Sequence, residues 1–285
     1  MTTKYVFSGH ESFSCKQLWL KKGYDFLVHG NNFNAPDAVI ELGVGKNMVS
    51  SIRYWLRAFM LTSNDQLTPI ADYIFNDENG VDPYVEDLGT LWLLHFLLVT
   101  GGEATLYNWF FLRLQKERKE FTRQQVINTI RRYMVEADKI KSFNENTTKK
   151  DVAVLIQNYV EPSKARSFED YTSLLLDLNL LRTLDEGKSY QFNFEGKRQL
   201  PLEIYLYAVV KWKEDTQSVD FSTLQDIGLV FCLSDMETIA MLQKASDTYS
   251  DLMHYSDVAG IRQLQFTKEV TPLYFLDLYY KNEND

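Results

Sequence analysis

The sequence predicts a mainly α-helical fold with small β-hairpin wings, arranged as tandem winged-helix-like units. Three observations support this fold class. Apolar residues recur at helical spacing in many segments, for example at Val49, Ile52 and Leu56. Helix-capping patterns precede several of these segments. Alternating aromatic residues next to a glycine turn, as in residues 182–194, predict a β-hairpin between the helices.

Length and composition bound the number of domains. The chain has 285 residues, of which 45% are hydrophobic and 14% aromatic, so it can bury real cores and is not a disordered protein. The polar residues 142–151 lack periodicity and are the best candidate for a boundary. We therefore predict an N-terminal helical domain, 1–145, with a helix-turn-helix or winged-helix-like unit. A C-terminal helical domain, 146–285, is predicted to contain a second winged-helix-like unit and a closing helical unit.

Charge is distributed unevenly along the chain. The formal net charge is −9, yet residues 1–60 are net positive. Residues 113–150 are the most basic stretch, with eleven Lys and Arg against five Asp and Glu, whereas residues 151–285 are net −10. The net charge argues mildly against a general nucleic-acid coat protein, whereas its distribution fits a local binding face on a self-repelling protein.

Several classes of protein are disfavoured by the sequence. The longest apolar run, Leu91–Val99, has about half the length that a bilayer requires, so we expect no membrane association. The N-terminal residues lack an apolar signal core, and we expect a cytoplasmic protein. Cys15 and Cys232 are too few for a disulfide framework or a cysteine metal site. We predict no cofactor and no metal.

Residues 34–60 are the clearest candidate for a binding element. Asn34 and Pro36 fit the start of a short helix, and Gly43 fits a left-handed helix end. A second helix follows, with Asn47 as a candidate N-cap. Two helices joined by a glycine turn predict a helix-turn-helix. The predicted DNA-binding face of the second helix consists of Lys46, Asn47, Ser50, Arg53, Tyr54 and Arg57.

The alternative is an ordinary amphipathic helix, because a solvated outer face commonly carries a few charges. Residues 67–75 predict a third helix, and the turn-rich residues 76–83 predict a compact turn or hairpin after it, as in a winged helix. A nucleotide-binding phosphate loop is excluded at residues 43–46. That motif needs four residues between its glycines and a Ser or Thr after its lysine.

A second basic element is predicted near the middle of the chain. Thr122 and Gln125 form a capping box for a helix that starts at residue 123. Arg131 and Arg132 are predicted on its outer face, where they would contact the phosphate backbone beside the helix-turn-helix. The alternative is a solvated helix pair.

The second half of the chain is predicted to repeat the order of helices followed by a hairpin. Ser167 fits the cap of a helix before the hairpin at 182–194. Ser234 and Glu237 form a capping box, and residues 271–280 predict a closing aromatic helix. Few basic residues occur in the second winged-helix-like unit, so we predict scaffolding or protein contact for it.

Two small polar groups are further candidates for a site. His10 and Glu11 lie in a polar loop and have side chains capable of acid–base, metal or phosphate contact. No second histidine follows at a metal-ligand spacing, so locking of the loop is the better interpretation. Arg262 and Gln263 follow Gly260 and are candidates for contact with a base or phosphate. The simpler interpretation is exposed polar residues at the start of a helix or strand.

Five stretches of the sequence carry a family resemblance. They are FSGHESF at 7–13, WLKKGYDFL at 19–27, LGVGKNMVSSIRYW at 42–55, DPYVEDLGTLWLLH at 82–95 and YSDVAGIRQ at 255–263. The chain resembles, over nearly its full length, a bacterial family of domains of unknown function, number four thousand and seven. Members of that family are often encoded beside phosphoadenosine-phosphosulfate-reductase-like genes and DNA phosphorothioation or phage-defence genes. The resemblance carries no enzymatic activity and implies a DNA-directed accessory role.

We therefore expect a non-enzymatic, DNA-binding accessory protein of a bacterial DNA-modification (phosphorothioation-type) or phage-defence system. The expected partners are duplex DNA, bound through the helix-turn-helix, and proteins of a neighbouring modification or defence operon. Two alternatives stay open. One is an adaptor that does not bind DNA and recruits a modification or restriction enzyme through its acidic C-terminal half. The other is a hydrolase or nuclease centred on His10 and Glu11 with the acids of residues 82–87.

Overall fold

A computed structural model describes residues 5–162, 172–195, 199–213, 215–258 and 260–282. The protein is mostly helical, and the strands in these ranges form small antiparallel sheets of two or three strands. The mainly α class and the small hairpins predicted from sequence are thus confirmed. The chain divides into two compact units, Met1–Asn193 and Phe194–Asp285. The predicted division after residue 145 falls inside the first of these units.

The first unit contains most of the helices. They are α1 (Trp19–Val28), α2 (Ala38–Leu42), α3 (Lys46–Ala58), α4 (Pro69–Phe75), α5 (Leu88–Thr100), α6 (Thr105–Trp109), α7 (Gln115–Glu117), α8 (Arg123–Glu136) and α9 (Glu145–Tyr159). A π-helical turn, Phe110–Leu114, joins α6 to α7. Helix α9 packs on α8, which is why residue 145 does not separate two compact bodies.

Two small sheets complete the first unit. Their strands are β1 (Thr62–Ser63), β2 (Gln66–Leu67), β3 (Glu120–Phe121), β4 (Leu181–Leu184) and β5 (Ser189–Phe192). Strand β1 pairs with β2, and the other three strands form a sheet in the order β3-β5-β4. The chain therefore runs from β3 through the helix pair α8 and α9 into the β4–β5 hairpin, and β3 pairs with the last strand.

Helix α5 lies in the core of the first unit. All residues from Gly89 to Val99 are buried, as expected for a helix that is apolar on every face. The buried polar side chain of His95 has a hydrogen-bond partner, because its Nδ1 lies 2.9 Å from the Tyr159 hydroxyl of α9. At the start of the helix, Asp87 accepts a hydrogen bond from the Thr90 amide. The prediction that residues 91–99 form a buried helix is confirmed.

The second unit has the same order of elements around its sheet. Its elements are α10 (Leu202–Trp212), β6 (Ser218–Asp220), α11 (Phe221–Val230), α12 (Asp235–Thr248), β7 (Met253–Val258), β8 (Ile261–Phe266) and α13 (Pro272–Asn282). The sheet order is β6-β8-β7. A strand, two helices and a hairpin thus follow one another, and the first strand pairs with the last.

Several local predictions are confirmed. The pairs Thr122–Gln125 and Ser234–Glu237 form reciprocal capping boxes at the starts of α8 and α12. Gly43 is left-handed, with φ 61°, at the end of α2. Strands β4 and β5 form the predicted hairpin, and α13 is the predicted closing helix.

The hairpin that follows α3 was not predicted: it is β1–β2, at residues 62–67, and it precedes α4. Residues 76–83 form a compact turn, one of the two forms predicted for them. Within that turn the Asn76 side-chain oxygen accepts hydrogen bonds from the amides of Glu78 and Asn79, which satisfies the backbone without strands.

Two predicted helix caps are wrong. The N-cap residues of α2 and α3 are Asp37 and Gly45, and neither makes a side-chain capping bond. Asn34 and Asn47 therefore have other roles. Ser167 lies outside the described residues. Downstream of it, residues 172–181 contain turns and a short 3-10 helix, Leu176–Leu178, rather than the predicted α-helix.

Candidate nucleic-acid interface

The N-terminal half of α3 presents an open polar surface. Its exposed side chains are Lys46, Asn47 and Ser50, as the helical spacing predicts. From residue 51 to residue 58 every side chain is buried except those of Arg53 and Arg57, which are half-buried. The first turns of the helix are therefore accessible to solvent, and its second half belongs mainly to the core.

The two arginines of α3 are both held by acidic side chains. The Nε and Nη2 atoms of Arg53 donate to the two oxygens of Asp65 at 2.9 and 2.5 Å. Its Nη1 atom donates to the Asn34 side-chain oxygen at 2.9 Å. Because Asp65 lies in the turn between β1 and β2, Arg53 fastens this hairpin to α3. Arg57 forms an ion pair with Glu103, with 3.2 Å between Nε and Oε2.

The prediction that Tyr54 lies on the outer face of α3 is wrong. Its side chain is only 5% exposed, and its ring packs edge-on against Trp55 with 5.0 Å between centroids. The loop that contains Gly9 covers it, and a Cβ at Gly9 would lie 2.6 Å from a Tyr54 ring carbon. Burial, followed by the negative charge of Asp151, raises the pKa of Tyr54 well above its usual range. Tyr54 is a core residue.

Arg131 and Arg132 are both exposed on α8, as predicted, but they differ in their partners. Arg132 pairs with Glu117 at 2.5 Å and with Glu136 at 3.3 Å. Arg131 forms no ion pair within the described part of the chain. The buried ring of Tyr133 lies under two guanidinium groups, that of Arg113 at 3.7 Å and that of Arg132 at 4.9 Å from the ring centroid.

A group of lysines near the start of α9 was not among the predicted contacts. Lys139, Lys141 and Lys150 are exposed, and none of them forms an ion pair within the described residues. Lys149 is partly neutralised by Glu145, at 2.8 Å. The basic composition of residues 113–150 indicates a positively charged region that includes these lysines. Composition does not show which cations form ion pairs and which do not. Within the described residues, a second group of cations without an ion-pair partner, besides Lys46 on α3, thus lies at or beside the connection between α8 and α9.

His10 lies in a buried hydrogen-bonded centre between α3 and α9. Its Nε2 is 2.8 Å from Asp151 Oδ1, and the two residues are only 4% and 3% exposed. Its Nδ1 accepts a hydrogen bond from the Ser12 amide, so Nε2 carries the proton that is donated to Asp151. The His10 carbonyl oxygen accepts from the Ser51 hydroxyl of α3 at 3.0 Å. Glu11 is exposed and stays outside this centre, and the arrangement fits a locking role.

Arg262 and Gln263 lie on strand β8 of the second unit. Gly260, with φ 81°, provides the left-handed residue of the β7–β8 turn. Arg262 pairs with Asp257 across the hairpin at 2.8 Å, and Gln263 accepts from the Ser218 hydroxyl at 2.9 Å. Both side chains therefore stabilise the sheet, and the strand interpretation of this segment is confirmed.

The acids of residues 82–87 act as local backbone acceptors. Asp82 is buried and accepts from the amides of Glu86 and Asp87, and Asp87 in turn caps α5. Within the described ranges, no group of three or more His, Cys, Asp or Glu side chains is arranged to hold a metal ion. In the same ranges, no helix is long and apolar enough to cross a bilayer.

These features define a class of mostly helical proteins in which pairs of helices lead into small antiparallel hairpins. The chain belongs to a family of proteins of unknown function, DUF4007, whose model matches residues 7–280. It is similar to a crystal structure of SspB, with a TM-score of 0.86 and 28% identity over 98% of this chain and 89% of that chain. It is also similar to a crystal structure of magnesium ion-bound SspB, with a TM-score of 0.85 and 27% identity over the same shares. No curated protein matches the chain.

Proposed function

We propose that this protein is a DNA-binding accessory protein of a bacterial DNA-modification or phage-defence system, and that it binds duplex DNA through the helix-turn-helix formed by α2 and α3. The observation that carries the proposal is the open N-terminal half of α3, with Lys46, Asn47 and Ser50 exposed after a glycine turn. In helix-turn-helix proteins the N-terminal residues of the second helix contact base edges in the major groove.

The tandem arrangement of winged-helix-like units is part of the same proposal. The order of α1, α2, α3 and the β1–β2 hairpin supports one such unit. The β3–α8–α9–β4–β5 and β6–α11–α12–β7–β8 segments support two more, because the helix pair leads into a hairpin and the first strand closes the sheet. In this assignment α3, α9 and α12 occupy equivalent positions.

The modification or defence role is supported by the family membership together with the gene neighbourhoods that the resemblance implies. Phosphorothioation replaces a non-bridging phosphate oxygen by sulfur, so a protein that contacts the backbone can distinguish the two linkages. A role on bacterial or phage DNA also agrees with the cytoplasmic location expected from the sequence.

Binding to a labelled duplex, with and without phosphorothioate linkages, tests the proposal. We expect binding that weakens steeply between about 50 and 200 mM salt, because phosphate contacts release counterions. The variant Lys46→Ala/Asn47→Ala/Ser50→Ala is expected to bind about tenfold more weakly, the loss of one or two good contacts. Lys281→Ala, which removes an exposed cation on α13, is the matched control and should bind normally.

The outcomes separate the proposal from its main competitor. Equal binding by the triple variant and the wild type would remove α3 from the interface. Absence of binding to either duplex at the lowest salt would favour an adaptor that recruits another protein, a role that the net charge of −10 on residues 151–285 supports.

The ion pair between Arg53 and Asp65 gives a further prediction. Asp65→Ala removes a negative charge beside α3 and frees the Arg53 guanidinium, so we expect duplex affinity to rise about two- to threefold, the scale of an exposed charge interaction. Fluorescence anisotropy at low salt measures this change. Asp251→Ala, which opens the exposed Lys268 pair in the second unit, is the control. A loss of affinity in Asp65→Ala would show that the fastened hairpin matters more than the free arginine.

A further inference from the structure

A cavity of about 420 Å³ opens beside the connection between α8 and α9. Tyr5 and Phe7 of the N-terminal segment line one part of it, and Lys139, Ser142 and Phe143 of the connection line another. Its volume is within the range of small-molecule sites. None of the described lining residues belongs to α3, so this is a different surface from the proposed helix-turn-helix contact.

Three aromatic side chains give the cavity a surface for stacking. The ring centroids of Tyr5 and Phe7 lie 5.2 and 5.9 Å from that of Trp109, which is buried, so the core supports both rings. Tyr5, Phe7 and Phe143 each remain partly exposed. Unstacked nucleobases bind to such supported and accessible aromatic rings, and the stacking is tolerant of base identity.

The cavity also carries hydrogen-bonding groups that are free to bind a ligand. The hydroxyls of Ser142 and Thr147 make no hydrogen bond within the described residues. The Asn144 side-chain oxygen accepts from the Thr147 amide, which leaves the Asn144 amino group as a donor. No carboxylate occurs among the described lining residues. Donors and acceptors beside a stacking surface match the edge of a nucleobase.

Cations line the cavity and occur in the chain segments next to it. Lys139 lines it, Lys141 lies in the same connection, and Arg131 and Lys150 lie on the two adjoining helices. All four side chains are exposed, and none forms an ion pair within the part of the chain that the structure describes, although Arg131, after Lys149, contributes to lowering the pKa of Glu145. Unpaired surface cations attract phosphates, and this attraction carries most of the affinity of proteins for a nucleic-acid backbone. A nucleic-acid strand supplies both phosphates for the cations and bases for the aromatic rings.

We propose that this cavity receives one unstacked nucleobase of a nucleic-acid strand whose phosphates lie on the surrounding cations. Both faces of a base are covered inside a duplex, so the base must be flipped out or come from a single-stranded segment. The proposal rests on nucleic-acid binding by the protein, and it assigns a second contact to the connection between α8 and α9.

A fluorescent base tests the proposal. The probe is a duplex with 2-aminopurine opposite an abasic site, because a base without a pairing partner is easily extruded. We expect the full chain to quench the 2-aminopurine as it stacks on the aromatic rings. Phe143→Ala and Ser142→Leu should abolish the quenching, and duplex affinity measured by anisotropy should fall by about five- to tenfold, the lower end of the range for one stacked base.

The two variants and one control keep the test decisive. Ser142→Leu places an aliphatic side chain, which offers no ring for stacking, at an exposed position of the cavity lining and removes no core side chain, so it separates cavity blocking from misfolding. Lys281→Ala should quench like the wild type. Tight binding without quenching by the wild type would overturn the cavity proposal and leave the proposed function standing.

Free deoxyadenosine monophosphate separates the failure of the two proposals. If the chain binds no duplex, the proposed function fails, and saturation-transfer NMR with this nucleotide then decides the cavity. Base-proton signals that disappear in Ser142→Leu would support the cavity as a nucleobase site. Absence of these signals in the wild type would overturn it.

Discussion

The substitution His10→Ala is expected to lower the free energy of unfolding by about 3–5 kcal/mol, because it leaves a buried carboxylate without its partner. Asp151 is 3% exposed, and among the described side chains and amides only the Ser8 amide, at 3.2 Å, would still donate to it in the variant. Urea denaturation followed by circular dichroism measures the loss. His29→Ala is the control, since His29 is exposed and its ring contacts only a backbone carbonyl of its own helix.

A double-mutant cycle separates the pair from its surroundings. Asp151→Ala alone should also be strongly destabilising, whereas His10→Ala/Asp151→Ala should lose much less than the sum of the two single losses. Additive losses would mean that the two side chains stabilise the protein independently, which contradicts the 2.8 Å contact between them. Normal stability of His10→Ala would place the centre of this loop outside the folded core.

Gly9→Ala is expected to cost about 2–4 kcal/mol, because the added methyl group meets two obstacles. Gly9 has φ 106°, a backbone conformation that residues other than glycine rarely adopt. The added Cβ would also lie 2.6 Å from a ring carbon of the buried Tyr54. Gly30→Ala is the matched control. Gly30 also has positive φ, 77°, but nothing lies within 4 Å of its added Cβ, so we expect a loss of only about 1–2 kcal/mol.

The two glycine variants differ in their expected loss of unfolding free energy, and this difference measures the cost of the close contact between the loop and Tyr54. Thermal unfolding of both variants beside the wild type gives this difference directly. Equal losses would show that the Tyr54 ring moves aside without cost, and the loop would then be a looser cover for α3 than its contacts indicate.

Features of the fold that depend on neighbouring residues could be predicted from the sequence. The capping boxes at Thr122 and Ser234 need only side chains three residues apart. The β1–β2 hairpin was missed, although Asn64 and Asp65 suit its turn, where both have positive φ. Its strands are two residues long, and such short strands give no periodic signal.

The candidate site was predictable only in part, for the same reason. Helical spacing placed Lys46 and Ser50 on the outside of α3 correctly. It failed for Tyr54, because the covering loop is remote in sequence. It also failed to show that Arg53 and Arg57 are paired, since their acidic partners are 12 and 46 residues away. Counting charges reveals a basic segment, but only the fold shows which cations remain free.

The loop around His10 joins α3 to α9 through hydrogen bonds. His10 receives a hydrogen bond from Ser51 on α3 and gives one to Asp151 on α9, and the Cys15 amide donates to Asn158, also on α9. A ligand that displaces either helix must therefore work against bonds that position the other. Coupling of this kind is reciprocal, so whatever one helix does to the affinity at the second, the second does equally to the first. Two contacts with a nucleic acid, if made on these helices, would be coupled to the extent that binding at one helix moves the other.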